Sequence, residues 1–566
     1  MRRLRMTSVV LLAFTVAACT SSKHAANPTA PSQTGSSSIA QSPVASTAQS
    51  PAAQTGTATS TGGTGAASVL NVTRDGPTEP IFAPVMATDD TFALMYLIYD
   101  PLVGLAADQS TIEPRLAASW TVSPDAKTYT FNLRQGVKWQ DGQPFTAADV
   151  VFTATFAAHY PGAYQGRAQN WKEIAGAADI ANTNKPLSGI SAVGDYTVKI
   201  TLAQPDSSFL RYLVDAPNVI LPQHLLASET DKTIASSSFV THPIGTGPYR
   251  LTQYVPNQYV QFTANADYWG GAPKTKTLIW KILPSSQITS QLQTGGLDVA
   301  FGLQEAVRNT LGGVKGLNLG DALSAGMVGL FVRTAAPALS DPRVRQAMYY
   351  GIDRQALVTG VMKSEAGLLW NPPGLNFDSL NKYPYDPNQA KSLLAAAGWK
   401  SSTTLRLVYW SGAQQAQQVL PIVQQELAKI GMKVTLVPLT EADWNDMVTN
   451  PARVNQWDLD YEFGGTYGLG PQFSAVQYNV CNGPVGETGW KNCTVSGLFA
   501  KAGSTTDSAT QSAAYAQIAQ MINQAPDAIY LWQPKVLSAT AAGVSGVTVY
   551  PFDRYSFLEA AEWSKQ

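Results

Sequence analysis

Residues 386–439, DPNQAKSLLAAAGWKSSTTLRLVYWSGAQQAQQVLPIVQQELAKIGMKVTLVPL, decide the fold class. Asp386-Pro387 sets an N-cap carboxylate before a proline whose fixed φ suits the first helical position. Ala390, Leu393, Leu394 and Ala397 then recur at the i, i+3, i+4, i+7 spacing of one helix face, and Gly398 supplies a left-handed stop. Leu405 to Trp410 reads as a strand. Val419, Val423, Leu427 and Ile430 form a second helical stripe ended by Gly431, and Lys433 to Leu439 reads as another strand. Strand, helix and strand in that order make a βαβ unit, which requires parallel pairing.

The same grammar extends outward. Asp341-Pro342 repeats the N-cap and proline signal. Tyr129, Phe131 and Leu133 alternate with Thr128, Thr130 and Asn132, and Tyr196, Val198, Ile200 and Leu202 alternate with Thr197, Lys199 and Thr201. That period of two predicts half-buried strands. Thr146 with Asp149 forms a capping box with aspartate in place of the usual glutamate, opening a helix through Val150, Val151 and Phe156. No repeat with a period of roughly 20–50 residues is present, which argues against a solenoid or propeller. The chain therefore reads as α/β.

The N-terminus reads as an address. Arg2, Arg3 and Arg5 form a positive region, Val9 to Ala17 an apolar stretch, and Val16-Ala17-Ala18 places small residues before Cys19. The stretch is shorter than the roughly 20 apolar residues that a membrane span needs, so residues 1–19 are expected to be a cleaved export signal. Val-Ala-Ala-Cys resembles a bacterial lipobox, which implies acylation of Cys19; the alternative is an ordinary signal peptide with an incidental cysteine. Residues 20–67 are almost wholly Ser, Thr, Ala, Pro, Gln and Gly, with Lys23 the one full charge. Such a segment buries too little apolar surface to offset ordering entropy and is expected to be a disordered tether. A flexible coil of that length would reach roughly 35–40 Å.

The remaining body, 45% hydrophobic across the chain with 13 Trp and 23 Tyr, is long enough for more than one core. Only 14% of residues are charged, the net charge is −1, and no Lys/Arg cluster follows the signal, which excludes a nucleic-acid binder that works by counterion displacement. With Cys19 assigned to the lipobox, Cys481 and Cys493 form an even pair in an exported chain, and a disulfide between them is expected. The alternatives are two thiols or, with no His nearby, less readily a metal site.

Tools for catalysis are scarce. There is no Gly-x-Ser-x-Gly elbow, phosphate loop or His-Glu-x-x-His helix, and the glycine run Gly464 to Gly470 does not fit a dinucleotide fingerprint. His159, His224 and His242 are far apart in sequence and read as surface or packing residues. A carboxylate pair remains open to an exported hydrolase, since spacing says nothing about where 39 acids meet.

Glu113 to Phe152 (EPRLAASWTVSPDAKTYTFNLRQGVKWQDGQPFTAADVVF), Gly245 to Tyr254 (GTGPYRLTQY), Ala264 to Lys274, Asp341 to Val358, Tyr385 to Trp399 and Gln424 to Val434 resemble, in order, the signature blocks of the family 5 extracellular solute-binding proteins of ABC importers. The resemblance implies a two-lobed periplasmic-binding-protein fold of type II, with an extra subdomain on the first lobe and an interlobe ligand cleft. It places lobe one at 69–106, 205–283 and 538–566, the extra subdomain at 107–204 and lobe two at 284–537. Trp120, Tyr129, Phe131 and Trp139 in the signature blocks are expected to be core. The cleft loops map onto Thr78-Glu79-Pro80, Thr246 between Gly245 and Gly247, Arg333-Thr334, Trp370-Asn371, Trp410-Ser411 with Gln415, and Phe463 to Tyr467.

One departure bears on the cargo. The peptide binders of the family carry an aspartate after the strand at Leu459 to Phe463, paired with the ligand ammonium; this chain has Gly464-Gly465-Thr466-Tyr467 and no acid there. A buried ammonium needs a partner, so Glu462, Asp460 or Glu79 would have to serve, or the ligand lacks that group. The resemblance implies a monomeric, lipid-anchored protein outside the cytoplasm that captures a small solute by hinge closure and delivers it to ABC permease subunits. It implies no catalytic residue, metal or cofactor. An oligopeptide is the first expectation, an oligosaccharide or other non-peptide solute the second and a metal chelate the third. An exported hydrolase or a purely structural lipoprotein is the competing class.

Overall fold

The protein is described by a computed structural model at residues 69–75, 91–106, 108, 111–160, 171–181, 183–304, 307–324, 326–363, 366–368, 375–450, 452–465 and 488–566. The chain opens with β1 (Val69–Arg74) and α1 (Phe92–Ile98), every residue of which is buried. A four-stranded antiparallel sheet follows, made of β2 (Ala117–Val122), β3 (Thr128–Leu133), β4 (Ile190–Ala192) and β5 (Thr197–Thr201) in the order β2-β3-β5-β4. The alternation read from sequence is the alternation observed: Tyr129, Phe131, Val198 and Ile200 have no exposure, and Tyr129 faces Ile200 across the ladder. Trp139 is likewise buried, while Trp120 is only partly so. α2 (Ala147–His159) begins at the predicted cap, where the Thr146 N–H donates to Asp149 at 2.9 Å, and packs on β4 and β5.

The larger sheet has twelve strands. Besides β1 it contains β6 (Tyr249–Val255), β7 (Tyr259–Ala264), β8 (Thr277–Lys281), β9 (Val299–Leu303), β10 (Leu317–Leu323), β11 (Gly326–Val332), β12 (Ala366–Gly367), β13 (Thr404–Trp410), β14 (Lys433–Leu439), β15 (Leu459–Gly465) and β16 (Ala528–Ala541). Their order is β14-β13-β15-β11-β16-β9-β1-β8-β7-β6, with β10 and β12 also pairing to β16. The predicted βαβ unit is present: β13 and β14 run parallel from Thr404↔Lys433 to Trp410↔Leu439, joined by the helix Gln414–Lys429.

Strand β16 serves two cores. Ala528 to Trp532 pairs with β11, whereas Leu537 to Thr540 pairs with β9. One core contains Leu70, Val72, Phe262, Trp280, Phe301 and Phe557; the other contains Leu330, Val332, Leu407, Val419, Leu459 and Trp532. The two-lobed α/β expectation is met by these two cores on one continuous sheet. The C-terminus returns to the first of them, with the Phe557 ring 5.3 Å from Trp280 and 5.0 Å from Phe301, and Lys565 paired with Asp298 at 2.6 Å.

Helices α3 (Pro342–Gly351), α4 (Pro387–Ala396) and α5 (Gln414–Lys429) cover the second core. Asp341 accepts from the Arg343 N–H at 2.9 Å, and Asp386 accepts from those of Asn388 and Gln389. Gly398 and Gly431 take φ of 69° and 88°, the left-handed region where a side chain is strained. Residues 299–323 were expected in the second lobe but ladder onto the first: β9 pairs with β1 from Val72↔Val299, and β10 pairs with the far half of β16. Ala300, Leu303 and Leu311 of this segment pack on Leu537 and Ala539, so the chain leaves the first core near Ser324.

Candidate ligand-binding site

The strand order creates a crevice. After β13 the chain crosses to β14 on one side and later returns as β15 on the other, and all three strands are parallel. In an open α/β sheet the carboxyl ends of strands that lead away in opposite directions leave a gap between their connections, where ligands bind. Trp410 is the last residue of β13 and Phe463 lies near the end of β15. Their exposures are 40% and 52%, unusual for large rings on a sheet.

Several groups hold this edge. A Cβ on Gly412 would lie 2.6 Å from the Trp410 indole, so only glycine lets the ring lie over that turn. Ser411 donates both its N–H and its hydroxyl to the Leu439 carbonyl at 2.8 Å, tying the ends of β13 and β14. Gln415 lies 3.2 Å from the Met362 sulfur and accepts from the Tyr461 hydroxyl at 3.4 Å. Burial raises the Tyr461 hydroxyl pKa, keeping it a donor at neutral pH. Trp410, Ser411, Gln415 and Phe463 therefore belong to one edge, with Tyr461 as a backing residue that sequence reading missed. Strand β15 also runs two residues beyond the predicted end, because Gly464 and Gly465 still pair with Met327 and Gly326.

Two predicted site residues are drawn into the scaffold instead. Thr246 is 1% exposed and donates to Asp100 at 3.1 Å. Asp100 also accepts from Tyr268 at 3.0 Å and Trp269 at 2.9 Å; burial raises its pKa while these donors oppose the rise. The flanking glycines permit this, since a Cβ on Gly245 would fall 1.9 Å from the Ile98 carbonyl oxygen. Arg333 is 8% exposed and donates to the Trp457 carbonyl at 2.7 Å, to Asn455 at 3.1 Å and to Asp458 at 3.5 Å. Its charge is neutralised inside the fold. No sequence signal links Asp100 to Thr246, 146 residues away.

Asp460, a candidate partner for a ligand ammonium, is 1% exposed and accepts from Trp444 in α6 (Glu441–Thr449) at 2.7 Å, so its carboxylate is buried beneath that helix. Glu462 is half-buried. The histidines have local partners: His159 meets the Lys185 carbonyl, His224 meets Asp141 and His242 meets Thr241. Thr78, Glu79, Trp370, Asn371, Tyr467, Cys19 and Cys481 lie outside the described residues, and Cys493 opens α7 (Cys493–Gly503). A separate concavity of about 490 Å³, its open mouth included, lies beside Tyr349, Tyr383 and Tyr530. Its Arg354 is already engaged by the Lys382 and Tyr383 carbonyls.

Two α/β cores on one shared sheet, with aromatic rings uncovered at a switch point, define a two-lobed solute-binding protein. The chain belongs to the bacterial extracellular solute-binding proteins of family 5, whose middle region matches residues 111–486. It is 30% identical over 497 residues to the glutathione-binding protein GsiB of Salmonella typhi, covering 82% of this chain and 88% of that protein. The oligopeptide-binding protein AppA of Bacillus subtilis, solved with a nonapeptide, superposes with a TM-score of 0.69 at 22% identity, over 88% of this chain and 99% of that one. NikZ of Campylobacter jejuni, solved with Ni(L-His), gives 0.70 at 23% identity over 88% and 99%. These neighbours share the two-lobed fold. Members of the family work outside the cytoplasm as the solute-binding components of ABC importers.

Proposed function

We propose that this chain is the lipid-anchored receptor of an ABC importer that captures an oligopeptide and releases it unchanged to a permease. The observation that carries the reading is the pair of exposed rings, Trp410 and Phe463, at the carboxyl ends of adjacent parallel strands. Rings in that position can stack on or cover an apolar solute group when the lobes close. Similarity to proteins named for glutathione and oligopeptide binding supports a peptidic cargo. The buried position of Asp460 supports the second reading, a non-peptide solute such as an oligosaccharide, because a ligand ammonium would not reach that carboxylate.

In this reading Cys19 carries the lipid, residues 20–67 are the tether, Cys481 and Cys493 form a disulfide, and the protein acts as a monomer. The first lobe comprises β1, β6 to β10, the four-stranded sheet and the C-terminal segment; the second comprises β11 to β15. The hinge crossings fall at Ser324–Gly326 and within β16. A thermal-shift screen of the body without residues 1–67 against peptides, oligosaccharides and metal chelates tests this. A ligand at about 100 times its Kd adds roughly 2.7 kcal/mol of stability. No shift with any solute, together with hydrolysis of one, refutes the reading in favour of a hydrolase.

A further inference from the structure

The two cores also touch without a covalent crossing, at the tip of a helical hairpin. Helix α7 and α8 (Ser508–Gln524) pack on each other through Val495, Phe499, Ile518 and Ile522, together with Leu375, Phe377 and Trp490. The hairpin is fastened to the second core: Gln346 of α3 donates its side-chain amide to the Gln524 carbonyl at 2.7 Å, and Thr334 donates its N–H to the Thr488 carbonyl at 2.7 Å. Its tip meets the other side. The Thr506 N–H donates to the Pro124 carbonyl at 3.2 Å, the Ser207 N–H to the Gly503 carbonyl at 2.8 Å, and the Ser207 hydroxyl to the Ala502 carbonyl at 3.3 Å.

Each half of this contact is braced by hydrogen bonds of its own. Pro124 lies in the turn between β2 and β3, where Ala126 donates to the Ser123 carbonyl at 2.8 Å. That turn is joined to the Ser207 segment, because Asp206 donates its N–H to the Ala126 carbonyl at 3.0 Å and Tyr129 donates its hydroxyl to the Asp206 carbonyl at 2.5 Å. Across the contact, Gln511 donates to the Thr505 carbonyl at 2.7 Å and Asp507 caps α8 by accepting from Thr510 at 2.8 Å. Preformed partners lose little entropy on docking.

We propose that the α7–α8 tip is a ligand-independent latch between the lobes: its contacts with Pro124 and Ser207 hold them in the relation seen here before any solute enters. This rests on the two-lobed hinge reading above. A ligand shifts the lobe equilibrium only through its differential affinity, so a latch made wholly of protein groups sets the starting population on which the ligand acts. Each of these three bonds has a backbone carbonyl as acceptor, so the latch does not depend on the cargo's chemistry.

Hydrogen exchange by mass spectrometry on the ligand-free, full-length chain in detergent tests it. The Thr506 and Ser207 amides sit at half-exposed or exposed turns, where an unlatched protein would exchange them at nearly the unstructured rate. The expected result is slowing by at least about tenfold at both. Thr506→Pro removes one donor from the second lobe, and should accelerate exchange at Ser207 in the first lobe with an unchanged melting temperature. Exchange of both amides at the unstructured rate in the unmodified chain overturns the proposal, as does a folded Thr506→Pro variant with unaltered Ser207 exchange. Neither readout involves a solute, so the latch and the import function fail or survive separately.

Discussion

Replacing Trp410 by alanine should weaken solute binding far more than it weakens the fold. A tryptophan buries up to about 250 Å² when fully covered, so the 40% of Trp410 left exposed is roughly 100 Å² available to a ligand. At about 25 cal/mol per Å², covering it contributes ~2.5 kcal/mol, a factor of roughly 70 in Kd. Part of the ring's remaining cover is the Gly412 turn two residues on, a contact the unfolded chain can also make, so its loss should lower the unliganded melting temperature by no more than about 3 °C. Calorimetric titration with the solute that gives the largest thermal shift measures the first quantity, and scanning calorimetry of the empty protein the second. Phe463→Ala, at 52% exposure, should show a comparable loss of affinity. Val193→Ala, on a residue 59% exposed after β4, should show none. An unchanged Kd in both ring variants would remove the crevice as the site; a collapsed melting temperature would make the indole a core residue.

Thr246→Ala should do the reverse, lowering stability by about 1–3 kcal/mol through the donor lost at buried Asp100 while leaving Kd within a factor of two; weaker binding at unchanged stability would return Thr246 to the site. Asp527 gives a pH test. Burial raises its pKa from 3.8 to about 7, against the opposing attraction of Arg345, and its Oδ1 has no hydrogen-bond partner among the described residues. The folded form therefore holds the proton across a range where the unfolded chain has released it. Its contribution is complete below about pH 4 and is lost as pH rises through about 7, on the order of 3 kcal/mol between pH 5 and 7. Asp527→Asn should flatten that slope in urea denaturation, leaving a smaller one of the same sign from Asp206, whose pKa burial raises to about 6; an unchanged slope would rule out Asp527 as its source. The proposed Cys481–Cys493 bond closes a short loop, so a non-reducing peptide map should recover the two linked, and reduction should cost about 3 kcal/mol of stability. Cys19→Ser should release the protein from the membrane fraction, and persistent membrane retention would argue against the lipid anchor.

Features encoded within a few residues of chain were legible directly. The caps at Asp341, Asp386 and Thr146 form the bonds their side chains can reach, Gly398 and Gly431 take the backbone conformation glycine permits, and the period-two strands bury the faces their alternation marks. The proposed crevice rests on the resemblance to a known family, which maps Trp410 and Phe463 onto cleft loops; the βαβ order by itself singles out neither ring. Tertiary structure decided what depends on distant partners. Thr246 looks like a free hydroxyl between glycines until Asp100 is brought 3.1 Å from it, and Arg333 looks like a free cation until the chain around Trp457 and Asp458 encloses it. The 299–323 segment joins the first core because β16 is long enough to serve both cores, with β9 and β10 on its far half. Periodicity records which face of an element is buried; which element covers that face is settled only when the whole chain packs.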